Sequence, residues 1–155
     1  RPRVITTEFN SNYPLELDIT LIDPTITNKI KREKTFKFKQ CAWGASASAL
    51  RLVAERYGYS LIGRVGVLDL IWIQNSLLQV NWELPPFESF FEGTLHTKYK
   101  KLGQLHHKRQ TDPSIFKRLM DYRTFMETGD VDAAVKAAEV KIKSLDLECF
   151  ELVTK

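Results

Sequence analysis

The stretch CAWGASASALRLVAERYGYSLIGRVGVLDLIWIQNSLL, residues 41–78, reads as helix, strand, tight turn, strand. Gly44 ends an extended segment, and Ser46 or Ser48 supplies the side-chain oxygen that a helix start needs for its unpaired amides. Ala49, Leu50, Val53, Ala54 and Tyr57 recur at helical spacing and predict one apolar stripe. Gly58 stands where a left-handed helix end is cheapest for a residue without a side chain. Residues 59–63 then form a short apolar run, and residues 67–73 a second one rich in branched side chains. Only Gly63-Arg64-Val65-Gly66 separates them, long enough for a hairpin and too short for a crossover helix.

Outward from this unit, residues 3–9 (RVITTEF) predict a strand, and their nearly continuous apolar character suits one covered on both faces, as in a parallel sheet. Asn10, Ser11, Asn12 and Pro14 break it. Ligands of open α/β sheets lie beyond the carboxyl ends of the strands, which makes Glu8, Asn10, Asn12 and Tyr13 candidate substrate contacts. The same residue types also make ordinary turns. Asp69, alone in the apolar run VLDLIWI, must be paired or reach water; a turn or an outer strand accounts for it more simply than an active-site role.

Residues 15–40 read as a long irregular connection. Its lysine-rich part alternates with Phe36 and Phe38 and is expected to be a solvated edge rather than a nucleic-acid surface, since no RNA-binding motif accompanies it. Residues 80–91, VNWELPPFESFF, cannot form a helix or central strand through Pro85-Pro86. Trp82, Phe87 and Phe90 of this segment are candidate partner contacts, because exposed aromatics dominate interface energetics. Residues 94–123 are the most basic region and hold His96, His106 and His107, at spacings that match no metal motif. Within it Asp112-Pro113-Ser114 predicts the start of a helix containing Ile115, Phe116, Leu119, Met120 and Tyr122. Thr128-Gly129-Asp130 stops that helix, and Asp130 caps a last one over residues 131–145, followed by a short strand at 150–153.

The whole is thus an α/β chain of 155 residues with 43% hydrophobic and 27% charged residues, unlike a disordered protein. An α/β portion over residues 1–80 carries a loop and basic, mostly helical extension over residues 81–155. No apolar run approaches the roughly 20 residues needed to span a bilayer. Cys41 and Cys149 read as two reduced thiols, implying an intracellular, cytoplasmic setting. The net charge of +4 is too modest to indicate a nucleic-acid protein. No metal site is expected. A chain opening on Arg1 rather than Met leaves room for a preceding segment.

RPRVITTEFNSNYP, WGASASALRLVAERYGYSLIGRV and VLDLIWIQNSLL together resemble the C-terminal half of FkbM-type S-adenosylmethionine-dependent methyltransferases. The resemblance covers about the first half of the chain. It implies that residues 3–9 are the fifth strand of a Rossmann-like sheet, residues 44–57 the following helix, and residues 61–73 the closing antiparallel hairpin. It also implies that the cofactor sits on earlier strands, since the chain has only seven glycines and no glycine-rich turn after a strand. The expectation is therefore a methyltransferase C-terminal portion without cofactor-binding residues of its own, completed by an N-terminal half or other subunits. The alternative is a catalytically inactive methyltransferase-like subunit of a larger assembly. No catalytic residue is assigned, and the methyl acceptor is open.

Overall fold

A computed structural model describes residues 1–11, 13–22, 44–66, 68–91 and 119–144. Three strands form the first sheet: β1 (Val4–Glu8), β3 (Tyr59–Val65) and β4 (Asp69–Gln74), in the order β1-β4-β3. A second sheet pairs β2 (Ile19–Leu21) with β5 (Leu119–Asp121). Among the described residues there are three α-helices: α1 (Ala47–Arg56), α2 (Tyr122–Thr128) and α3 (Val131–Ser144). All strand pairs among the described residues are antiparallel.

The central unit forms where its sequence predicts. Ser46 is the N-cap of α1, its hydroxyl accepting from the Ala49 amide at 3.0 Å and from the Ile19 amide at 3.1 Å. One buried oxygen therefore starts the helix and ties it to β2. Gly58, at a φ of 75°, turns the chain from α1 into β3. β3 continues to Val65 and β4 begins at Asp69, so the chain reverses slightly later than the expected Gly63–Gly66, with Gly66 at a φ of 59°. A register shift between Leu61 and Gly63 bulges β3 and puts Arg64 on the face of Leu70 rather than the opposite one. The Arg64 guanidinium consequently lies over the Phe91 ring, 5.4 Å from its centre.

β4 runs antiparallel to both neighbours, so β1 and β3 run parallel to each other with β4 between them and α1 in their connection. This corrects the expectation that β1 is a parallel-sheet strand covered on both faces. It pairs antiparallel with β4 alone, stands at the sheet edge among the described residues, and alternates in exposure along its length. Asp69 is likewise not on an outer strand: it is the first residue of the central one, half-buried beside the turn.

Among the described residues three cores follow. Phe9, Leu61, Leu70, Trp72, Phe87 and Phe91 belong to the first, on the face that carries α1. Phe91 meets Phe9 edge to face at 5.7 Å, a geometry worth about 0.5–1.5 kcal/mol beyond area burial. The second core gathers Tyr13, Leu17, Ile19, Leu119, Ala138 and Ile142. A third holds Ile22, Met120 and Ala134, and all three draw on residues from either side of position 80.

Two further expectations are corrected. Residues 15–22 are not irregular throughout, since Ile19–Leu21 is β2. Leu119–Asp121 is a strand rather than part of a long helix, and Asp121 opens α2 instead. Local periodicity favours a helix here, but the pairing with β2 wins because Leu119 and Met120 bury almost completely in it. Asp130 caps α3 as expected, accepting from the Asp132 and Ala133 amides at 2.8 and 3.1 Å.

Candidate functional site

At the carboxyl end of β1 the chain turns inward. The Phe9 amide donates to the Leu68 carbonyl and the Asn10 amide to the Ala45 carbonyl, both at 2.8 Å. Asn10 is fully buried, and its carbonyl accepts from the Tyr13 amide at 3.1 Å, closing a tight turn. Tyr13 is buried in the second core, its hydroxyl without a partner among the described residues. Burial pushes the phenol well above its usual pKa. Of the described candidates Glu8 alone is exposed, directly opposite Asp69. The sequence groups these residues by their place after a strand; the fold disperses them, with Glu8 outside and Asn10 and Tyr13 inside. Asn12 lies outside the described residues.

At this end of β1 the amides of Phe9 and Asn10 are both taken up by backbone carbonyls, so neither of the two is free to hold a ligand.

A polar cluster that sequence reading misses ties β2 to the C-terminal helices. Arg123 Nε donates to Asp18 Oδ2 at 2.8 Å, and the Tyr122 amide donates to the Asp18 carbonyl at 2.7 Å. Asp121 is fully buried, accepts from the Thr124 amide and hydroxyl at 2.9 and 2.8 Å, and pairs with the Lys141 ammonium. Burial by itself would raise the Asp121 carboxyl; Lys141 and the Thr124 donors outweigh it and hold it below the usual carboxylate range. Every group here is engaged in capping or pairing, so the cluster is structural.

Among the described residues an apolar groove of about 380 Å³ opens between α1 and the β1 side of the sheet. Ile5, Thr7 and Trp72 form its floor, and Leu50, Val53 and Ala54 its helical wall. Its volume and apolar lining lie in the range of ligand pockets. At one end the Arg1 guanidinium donates to the Tyr57 carbonyl at 3.1 Å and lies over the Tyr57 ring. Arg3 and Arg56 are exposed nearby in the chain, at the start of β1 and the end of α1. The sequence signal was present: the apolar stripe of α1 continues through Leu50, Val53 and Ala54 to Tyr57. The sheet completely covers only its first turn, Ala47 to Ala49, and Tyr57 remains 51% exposed.

Of the candidate partner contacts, Phe87 is a core residue at 8% exposure, Phe90 is half-buried against the same core, and Trp82 is half-exposed. The basic segments at 28–39 and 94–118, the three histidines, both cysteines, the expected helix start at Asp112 and the expected strand at 150–153 lie outside the described residues. Among the described residues no group of three or more His, Cys, Asp or Glu is placed to hold a metal ion, and no helix is long and apolar enough to cross a membrane. No protein-family model matches the chain, and neither curated proteins nor solved structures show significant similarity to it.

Proposed function

We propose that this chain is the C-terminal portion of an S-adenosylmethionine-dependent methyltransferase of the FkbM type, with a Rossmann-like sheet whose cofactor-binding strands lie outside these residues. Its own part is acceptor-side and partner contacts. The observation that carries this reading is that β1, then α1 after the short β2, then the β3–β4 hairpin fall on the residues for which the sequence resemblance implies the fifth strand, the following helix and the last two strands. The outer edge of β1, unpaired among the described residues, supports it as well, because an edge strand of this kind needs a cover. In such an enzyme the chain's contribution to methyl transfer is orientation of the acceptor, since bringing reactants together supplies much of the rate of a bimolecular transfer. Glu8 is the exposed polar group at the strand ends suited to that task.

Calorimetric titration of S-adenosylmethionine into the native polypeptide or assembly that contains this chain tests the proposal. Saturable binding, with transfer of a labelled methyl group weakened by Glu8→Gln, is the expected result. Absence of binding in the intact native assembly rejects it.

A further inference from the structure

Three cations among the described residues are half-buried: Arg51, Arg64 and Lys141. Two of them find carboxylates. Lys141 pairs with Asp121, and Arg51 pairs with Glu55 at 2.7 Å while it also lies over the Phe87 ring. Arg64 has the ring without the carboxylate. Its guanidinium lies 5.4 Å from the centre of Phe91, and its Nη1 is buried with no hydrogen-bond partner among the described residues. A ring face attracts the charge but accepts no in-plane N–H, so a buried donor is left without its costly hydrogen bond. Burial also lowers the Arg64 pKa, because no opposite charge offsets the lost hydration.

Arg64 owes this position to the bulge in β3. In an unbroken strand the face of Leu61 would pass to Gly63 and Val65; the shifted register sends Val65 outward and turns Arg64 toward the side of Leu70 and Phe91. Bulges that re-aim one side chain are over-represented beside active sites. Arg64 is next to last in β3, and Phe91 meets Phe9 just past the end of β1. Since β1 and β3 run parallel, both contacts lie at the carboxyl end of the sheet, where open α/β sheets bind ligands. The Tyr13 hydroxyl, also unpartnered among the described residues, is a different case: it is neutral and belongs to the second core.

We infer that Arg64 anchors an oxyanion, a carboxylate or phosphate group carried by the small molecule on which this chain acts. The inference rests on the reading of the chain as the acceptor-side portion of a methyltransferase, and it gives that acceptor a chemical class. A guanidinium presents a planar fork that meets two oxygens of a carboxylate or phosphate at once. Contact with the buried Phe91 ring limits the swing of the Arg64 side chain, so less order has to be imposed when the anion arrives. Arg3 and Arg56 are exposed and hydrated, and they lack both the ring and the buried donor.

Arginine modification in the native polypeptide or assembly that contains this chain tests this. Phenylglyoxal reacts with guanidinium groups, and mass spectrometry of the proteolytic peptides reads the rate at Arg64 beside those at the exposed Arg3 and Arg56. The reaction is run at constant ionic strength with sodium phosphate or sodium benzoate as the added anion. The expected result is saturable protection of Arg64 by at least one of them, about tenfold at roughly ten times the half-protecting concentration, with Arg3 and Arg56 little changed. Protection by phosphate alone marks a phosphorylated acceptor, and protection by benzoate alone a carboxylated one. Equal protection at all three arginines, an adventitious ion only, overturns the inference. So does an Arg64 that reacts freely whatever the anion, or one that never reacts and is therefore sealed. The modification needs no S-adenosylmethionine. Protection without cofactor binding in the calorimetric titration leaves the anion site standing and removes the methyltransferase reading; cofactor binding without protection does the reverse.

Discussion

The indole N–H of Trp72, in the central strand β4, donates to the Thr7 hydroxyl of the edge strand β1 at 2.8 Å. Thr7 stands opposite Leu70 and Ile5 opposite Trp72, so the bond joins diagonal neighbours and locks the register of the edge strand. Thr7→Val keeps the side-chain shape and removes the acceptor, leaving the N–H of a residue that is 2% exposed without a partner. The expected loss is about 1–3 kcal/mol in urea unfolding, with Thr7→Ser close to the parent chain.

Asp121 is the second test. Its carboxyl is held below the ordinary value in the folded chain, so the unfolded chain takes up the proton first as pH falls. Its contribution is therefore fully present above the usual carboxylate pKa of about 3.9 and is lost as pH falls from there through the lower folded value. Asp121→Asn keeps an acceptor for the Thr124 amide but not the charge opposite Lys141. Urea midpoints measured from pH 6 down to pH 2 should show the gap between the parent and this variant closing toward the acid end. Asp121→Ala, which also removes the cap of α2, should cost about 2 kcal/mol at neutral pH.

Glycines at 58 and 63 separate backbone strain from space. Neither Gly58 nor Gly63 would clash with an added methyl: nothing lies within 4 Å of it at Gly58, and the nearest atom at Gly63 is on Ile71 at 3.8 Å. Only Gly58 has a left-handed backbone, with φ at 75°. Gly58→Ala should therefore lose about 1–2 kcal/mol and Gly63→Ala less than about 0.5 kcal/mol in the same thermal or chemical unfolding assay.

Phe87 and Trp82, close in sequence, should part in their effects. Phe87→Ala removes a core ring and should lower stability by about 3 kcal/mol. Trp82→Ala alters a ring that is 50% exposed and should change stability by less than about 0.5 kcal/mol. Size-exclusion chromatography of the native assembly then reads Trp82 as a contact residue without interference from unfolding: release of the Trp82→Ala chain assigns it that role, and full retention withdraws it.

What could be read in advance divides by range along the chain. The start of α1 at Ser46, its end before Gly58 and the cap of α3 at Asp130 are set by side chains a few residues apart and stand where spacing and capping place them, and the hairpin forms with its turn a few residues late. The β2–β5 sheet is different. Leu17, Ile19 and Leu21 alternate with Asp18 and Thr20 as a strand should, but three paired residues are too few to stand out without their distant partner. Met120 shows the cost of local reasoning, since helical periodicity around it is outweighed by burial against Ile22 and Ala134. The candidate site was legible in kind rather than in place. A position after a strand selects Asn10 and Tyr13, yet packing turned both inward, whereas the groove along α1 depends on what the sheet leaves uncovered.

The separation of β2 from β5 has a temporal consequence. Thr20 pairs with Met120, so about 100 residues must be synthesised before the second sheet can close. At the usual pace of translation this is a wait of roughly 5–20 s. The β3–β4 hairpin, by contrast, has both strands on hand almost at once. During the interval β2 has the backbone contacts to Gly44, Ala45 and Ser46 on one side, while the apolar side chains of Leu17 and Ile19 wait for Leu119, Ala138 and Ile142 and are exposed to aggregation.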